Sequence, residues 1–313
     1  MTELVPARGA GLRARTLSPS AVRWAAYAAL VALFLVTVSG ATVRLTGSGL
    51  GCENWPRCGD GFLPEQGFHA YVEFGNRVVG FLVGITTLGA AGAAWFARAP
   101  RGILLLAASL PLLVLAQGIL GGITVVFELH PLIVMGHFLL ALLGVGLAVA
   151  LVLAVEAWTR RVDMTTAFGP RWLGAFTLSL LPVAAVLVVT GAFVTAAGPH
   201  SGGADIERLG NLEDTIYVHV RAAAVFGVGF LVLVAILLRR RGRTALESRV
   251  ALAVLVSLVV QMVIGEIQWR RQLPWGLVLA HVALATAVWA GVVALAALVW
   301  RGSRAGQGAA LRP

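Results

Sequence analysis

Eight stretches of this 313-residue chain, roughly 22–43, 74–97, 103–126, 132–155, 173–195, 216–238, 250–269 and 276–299, are apolar over the length that crosses a bilayer, which takes about 20 residues as an α-helix. Inside a bilayer no water satisfies backbone N–H and C=O groups, so each stretch must close its hydrogen bonds within itself. The expected fold is therefore an all-α polytopic membrane protein with eight transmembrane helices. Composition agrees: 59% of residues are hydrophobic, 12% are charged and the mean hydropathy is +0.89. A soluble domain with so little charge could not cover its own surface.

The 24 basic residues are all arginine, and the net charge is +10. Nucleic acid is excluded as a partner because the arginines are not pooled on one face. They recur in alternate connections: 17 lie in the N-terminus, around 98–101, 160–171 and 239–249, and in the C-terminal tail, and seven lie on the other side. The positive-inside rule then puts both termini in the cytoplasm of a cell (plasma) membrane, with the long connections 44–73 and 196–215 outside. Such long loops tend to carry function. The first apolar stretch is long enough to span and no small-residue cleavage site follows, so it is not read as a cleaved signal. Tails 1–21 and 300–313 are expected to be cytoplasmic and largely disordered.

The chain repeats itself. Arg77 and Arg221, Gln117 and Gln261, Gly121 and Gly265, and His137 and His281 are each separated by 144 residues. Gly40-Ala41-Thr42-Val43 and Gly191-Ala192-Phe193-Val194 end the first and fifth spans. The expectation is two pseudo-symmetric four-helix bundles, 22–155 and 173–299, joined by a linker at 156–172 and related by an axis along the membrane normal.

The even-numbered spans all enter from the outer side, and each opens with its polar residues. Glu73, Asn76 and Arg77 fall at i, i+3 and i+4, on one helix face. His137, His219 and His281 lie within about two turns of the same surface. Ionisable groups inside a membrane are costly and face a cavity or a partner. Neutral imidazole is a common ligand for haem iron. His219 and His281, on neighbouring helices of one half, are the foremost ligand pair; the bland alternative is that each histidine bonds a backbone carbonyl. Gln117 and Gln261 are expected to point inward to a partner, and Gly80, Gly84, Gly118, Gly121, Gly122 and Gly265 either make room for a flat cofactor or serve close helix packing. Arg77 and Arg221 are read as forks for propionate groups or as snorkelling side chains, and the bland reading of Glu73 is a simple helix pair with Arg77. His69, His130 and His200 are read as solvated loop residues. Cys52 and Cys58, on the oxidising side, are expected to form a disulfide, either a structural staple or a redox-active pair.

The run Gly40-Ala41-Thr42-Val43-Arg44-Leu45-Thr46-Gly47-Ser48-Gly49-Leu50, then Cys52, Trp55-Pro56-Arg57-Cys58 and Val72-Glu73-Phe74-Gly75-Asn76-Arg77, resembles the haem A synthases, and the resemblance extends over nearly the whole chain. It implies oxidation of the C8 methyl of haem O to a formyl group by successive hydroxylations, giving haem A for haem–copper terminal oxidases. It also implies a resident haem b on His219 and His281, a substrate haem in the N-terminal half with His137 as iron ligand, Glu73 as the essential carboxylate, and a loop disulfide at Cys52 and Cys58. Two departures stand out: Asn76 where the family often has histidine, and Val220 between His219 and Arg221. Asparagine is a poor ligand for haem iron, so His137 is expected to be the substrate iron's one protein ligand.

The partners this implies are haem O, an unidentified electron donor and a haem O synthase, with membrane lipid around the chain and a homo-oligomer open. Two other readings share much of the pattern: a dihaem b-type cytochrome that only moves electrons, and a haem transporter. A transporter would show broken helices near the midplane, and only Pro111 and Pro182 interrupt these spans.

Overall fold

The computed structural model describes residues 17–52, 55–59, 63–64, 67–159, 170–203, 206–240 and 244–310. They form eight α-helices: α1 (Pro19–Leu45), α2 (Phe68–Phe96), α3 (Arg101–Val126), α4 (Pro131–Thr159), α5 (Arg171–Ala197), α6 (Leu212–Arg239), α7 (Ala245–Arg270) and α8 (Trp275–Ala310). All eight are long and apolar enough to cross a membrane, so the chain is a multi-pass membrane protein. No strand occurs among the described residues.

The apolar runs lie inside these helices, which reach further. α2 begins at Phe68 rather than 74, α6 at Leu212 rather than 216, and α8 continues to Ala310 rather than ending at 299. Hydropathy marks the part of a helix that lipid can cover, whereas the hydrogen-bond ladder continues through polar residues and stops at a cap. Asn211 supplies one such stop: its Oδ1 accepts from the backbone N–H groups of Glu213 (2.8 Å) and Asp214 (3.2 Å). Most of the tail 1–21 and most of the linker 156–172 lie outside the described residues. The expected disorder of the last dozen residues does not hold as far as Ala310.

The helices close two rings in chain order. α1 packs on α2, α2 on α3, α3 on α4, and α4 returns to α1; α5 to α8 do the same, and the rings meet through α8 against α1 and α4 and through α4 against α5. One expectation is thereby corrected. α6 and α8 are not neighbours but lie diagonally across their ring, with α5 and α7 between them, as α2 and α4 do in theirs. Sequential antiparallel helices put odd and even members side by side and leave alternate members facing across the middle.

Packing is uneven along the rings. Val22, Leu33, Val83, Leu110, Val145 and Val155 anchor one core. Leu173, Phe226, Phe230, Leu233, Leu295 and Val299 anchor the other. Both cores favour the end away from the 46–67 and 198–211 connections. Small residues let the helices approach there: a Cβ on Gly291 would lie 2.5 Å from Val254, and one on Gly229 2.9 Å from Leu180. At the loop end the close packing stops. No residue of α6 from Leu212 to Val225, and none of α7 from Leu255 to Arg270, is buried.

Between the rings, Trp289 of α8 packs on both cores, and its indole N–H donates to the Leu142 carbonyl of α4 at 2.8 Å. At the loop end Arg44 donates to the carbonyls of His200 and Thr195, both at 3.0 Å. Gly49 N–H donates to Gly202 O at 3.1 Å, and His200 Nε2 meets Leu273 O at 2.7 Å. His200 is thus a clasp between connections, not a solvated loop residue. The turns into α4 and α8 share one form. Glu128-Leu129 and Gln272-Leu273 are both left-handed pairs, and Leu129 and Leu273 N–H reach back to Thr124 O (2.8 Å) and Gln268 O (2.7 Å).

Candidate functional site

Glu73 lies in the second turn of α2 and is buried, 5% exposed. A carboxylate so placed needs donors, since a buried charge without partners costs several kcal/mol (roughly). It has two. Arg77, one turn on, donates to Oε1 at 2.5 Å, and the backbone N–H of Cys52 donates to Oε2 at 2.8 Å. Arg77 also donates to the carbonyls of Pro56 (3.1 Å) and Arg57 (2.7 Å). Cys52 and Cys58 form a disulfide, and both are buried. Together Glu73 and Arg77 therefore hold the backbone of the disulfide loop. Arg77 points to that loop, a placement that neither sequence reading of it foresaw.

The loop has further anchors. Ser48 Oγ and His69 Nδ1 are 2.9 Å apart, and the Gly51 backbone presses on the His69 carbonyl so closely that any side chain would strike it. Trp55 lies over Gly122 of α3, where an added Cβ would come within 2.8 Å of the indole. Gly122 thus serves contact with the loop. The loop consequently rests on both α2 and α3, over the loop end of the first ring.

His137 and His281 are each the seventh residue of their helices, α4 and α8. The surroundings of the two match. Gln117 of α3 donates through Nε2 to His137 O at 3.1 Å, and Gln261 of α7 donates to His281 O at 3.0 Å. A Cβ on Gly121 would lie 3.4 Å from His137 Cε1, and one on Gly265 3.3 Å from His281 Cε1. Gln117 Oε1, Gln261 Oε1, His137 Nδ1 and His281 Nδ1 are buried without a partner among the described residues. The glutamines do point inward, as expected of them, and bond the backbone beside each histidine.

The diagonal partners differ between rings. Across the second ring His219 of α6 is held by α5: its Nδ1 is 3.1 Å from Thr190 Oγ1. Arg221 bonds the Tyr217 hydroxyl and lies over that ring, 3.7 Å from its centroid. In the first ring, Asn76 has a buried Oδ1 with no partner among the described residues, 3.9 Å from where a Cβ on Gly40 would stand. Asn76 also lines a cleft of about 450 Å³ between α1 and α2, together with Leu35, Ser39, Thr42 and Tyr71. Among the described residues no three His, Cys, Asp or Glu side chains gather to hold a bare metal ion. Arg44, Thr190, Trp55 and Trp289 were missed by the sequence reading; Arg44 and Trp55 stand inside the loop motif, and Thr190 immediately precedes the repeated glycine at 191.

Fold and site together define a multi-pass helical membrane protein with imidazoles at matched depth near one end of two four-helix rings. The sequence profile of the cytochrome oxidase assembly proteins of the COX15-CtaA type matches residues 23–68 and 62–293, and the chain belongs to that family. It is 29% identical over 176 residues to a heme A synthase of Lysinibacillus sphaericus, covering 55% of this chain and 57% of that protein. It is 25% identical over 265 residues to a heme A synthase of Bacillus licheniformis, covering 80% and 87% of the two chains. A protoheme IX farnesyltransferase of Halobacterium salinarum matches at 31% over 132 residues, 42% of this chain and 28% of that one. The chain thus spans little more than half the length of the Lysinibacillus relative.

Proposed function

We propose that this protein is a haem A synthase, an oxidoreductase that converts the C8 methyl of haem O to a formyl group by successive hydroxylations and loss of water. The observation that carries the reading is the recurring set of glutamine, glycine and histidine at Gln117, Gly121 and His137 and at Gln261, Gly265 and His281, in a chain of this family.

The residues fit a resident haem b in the second ring. His219 and His281 belong to diagonal helices and are the residues that would hold the group between them. The walls near them carry no buried side chain on α6 or α7, Gly265 is bare, and His281 Nδ1 and Gln261 Oε1 retain bonding capacity. When bound, the haem b supplies electron transfer. Gln261 holds the His281 backbone in register, while Arg221, two residues beyond His219 and so on another face of α6, is engaged by Tyr217.

In the first ring we assign His137 as the ligand of the substrate iron. Asn76 stands diagonally opposite and is not among the side chains that ligate haem iron, which leaves one protein ligand and an exchangeable side from which product can leave. Glu73 is the carboxylate we assign to proton transfer or to holding positive charge. Arg77 and the Cys52 N–H hold it in place, and Arg77 is spent on this task rather than on a propionate. The loop end, on this reading, faces outward from the plasma membrane and both termini are cytoplasmic, a placement the arginine distribution supports. A haem O synthase is the expected supplier of substrate; a protoheme IX farnesyltransferase with a segment similar to this chain supports that pairing. The electron donor is a separate partner.

The test is expression in a host that makes haem O but no haem A, followed by chromatography of extracted haem. Haem A or its hydroxylated precursor is expected. Glu73→Ala should abolish both while haem b stays bound. Folded protein that retains haem, with a competent reductant, yet forms neither product would overturn the assignment in favour of an electron-transferring cytochrome.

A further inference from the structure

We propose that Thr190 is the positioning residue for His219: its hydroxyl oxygen accepts the Nδ1 proton and so presents Nε2 to an iron held between α6 and α8. The inference rests on the reading of His219 as an axial ligand.

Two hydrogen bonds meet at Thr190 Oγ1. One runs to the Leu187 carbonyl at 2.9 Å, the other joins His219 Nδ1 at 3.1 Å. A carbonyl only accepts, so the single hydroxyl proton is committed to Leu187. What remains towards His219 is a lone pair, which requires a proton on Nδ1. The neutral ring then carries its own lone pair on Nε2, which leaves that nitrogen able to bind iron. The next residue completes the seat. A Cβ on Gly191 would stand 3.0 Å from His219 Cε1 and 3.4 Å from Nδ1, so the ring rests against α5 backbone with no side chain between.

The other two imidazoles have no such arrangement. His137 and His281 leave Nδ1 buried and unpartnered among the described residues, and Gln117 and Gln261 hold their backbone carbonyls. Among the three, His219 is the one whose Nδ1 meets a side-chain hydroxyl. In the first ring the corresponding pair on α1 is Ser39-Gly40, and Gly40 stands against Asn76, the non-ligating residue. The first ring thus repeats the hydroxyl–glycine pair in sequence, with its glycine facing Asn76 in place of an imidazole.

A hydrogen bond to the far nitrogen makes an imidazole a stronger ligand, and loss of such a partner costs about 10–100-fold in metal affinity. Thr190→Val keeps the shape and removes the acceptor; Thr190→Ser keeps the acceptor. Purified full-length protein stripped of haem would be titrated with haem B, and the midpoint potential of the product measured. Thr190→Val should bind about 10–100-fold more weakly and shift the midpoint upward, because a less basic imidazole favours ferric iron less. Thr190→Ser should restore both. Equal affinity and midpoint for Thr190→Val and the parent chain would overturn the proposal, and so would a Thr190→Ser variant as impaired as Thr190→Val. A readout that needs neither haem nor a variant is the ¹⁵N spectrum of the histidines in the stripped parent chain: an Nδ1-protonated His219 is expected, and an Nε2-protonated one refutes the inference. If the parent chain takes up no haem with a bis-imidazole spectrum, the functional assignment fails, while the nitrogen spectrum still decides the tautomer.

Discussion

The carboxylate of Glu73 and the backbone N–H of Cys52 share a hydrogen bond of 2.8 Å, made where both are buried. It ties a side chain in the second turn of α2 to the first residue of a disulfide. Since Arg77 holds Glu73 and the Pro56 and Arg57 carbonyls at once, the disulfide loop and the carboxylate form one unit. The geometry favours the staple among the two roles open to the cysteines, for Cys52 and Cys58 are 2% and 4% exposed and offer little access to an attacking thiolate.

Removing the disulfide should therefore be felt at Glu73. A hydrogen bond to a charged group contributes about 1.5–3 kcal/mol, and about 1.4 kcal/mol is tenfold. Cys52→Ser combined with Cys58→Ser is expected to lower haem O conversion by about tenfold or more with haem b content unchanged. A water-soluble carbodiimide should then label Glu73, which the intact loop protects; peptide mass mapping reads the label. Equal protection with and without the disulfide would show that the loop holds its shape unaided.

The two glycines beside the histidines should separate the rings. Gly265→Ala places a methyl 3.3 Å from the His281 ring and should cost bound haem b, seen as loss of the bis-imidazole absorption bands. Gly121→Ala does the same to His137 at 3.4 Å. It should leave haem b in place and reduce conversion by up to about 100-fold, the effect of misplacing a reacting group by an ångström or so. Loss of haem b from Gly121→Ala would show that the rings are not independent.

Gly122→Ala introduces a methyl 2.8 Å from the Trp55 indole. Overpacking of this kind costs about 1–3 kcal/mol, and Trp55, half-exposed, can swing out to relieve it. Limited proteolysis should nick the 52–58 loop faster in Gly122→Ala. Trp55→Ala in the same chain should remove most of the added penalty, because the two residues share one contact.

Trp289 joins the rings through one hydrogen bond and a large buried surface. Trp289→Phe forfeits the bond to Leu142 O and should cost about 0.5–1.5 kcal/mol; Trp289→Ala also empties the joint and should cost about 3–5 kcal/mol. Thermal unfolding in detergent reads both. Similar losses for the two variants would place the whole effect in the hydrogen bond.

Much of this molecule was legible before any coordinates. Eight apolar runs gave eight helices because the cost of exposing a backbone to lipid is a local quantity, summed along about 20 residues. The 144-residue spacing picked out Gln117 with His137 and Gln261 with His281, and those pairs do meet. Position along a helix was readable too: His137 and His281 fall at the same place in α4 and α8, as their equal spacing implied. The ends of α2, α6 and α8 were not, because caps and interfacial turns lie outside what hydropathy weighs.

What the chain decided by itself, then, was how many helices form and where along each helix its polar residues fall. These depend on neighbours in sequence. Tertiary structure alone decided that α6 faces α8 across a ring, that Arg77 turns to Pro56 and Arg57, that Arg44 clasps the opposite half, and that Thr190 meets His219. Each of these settles how a polar group finds a partner once water is gone. That choice depends on which helices ring closure brings together, and residues 20 to 156 positions apart carry no local mark of it.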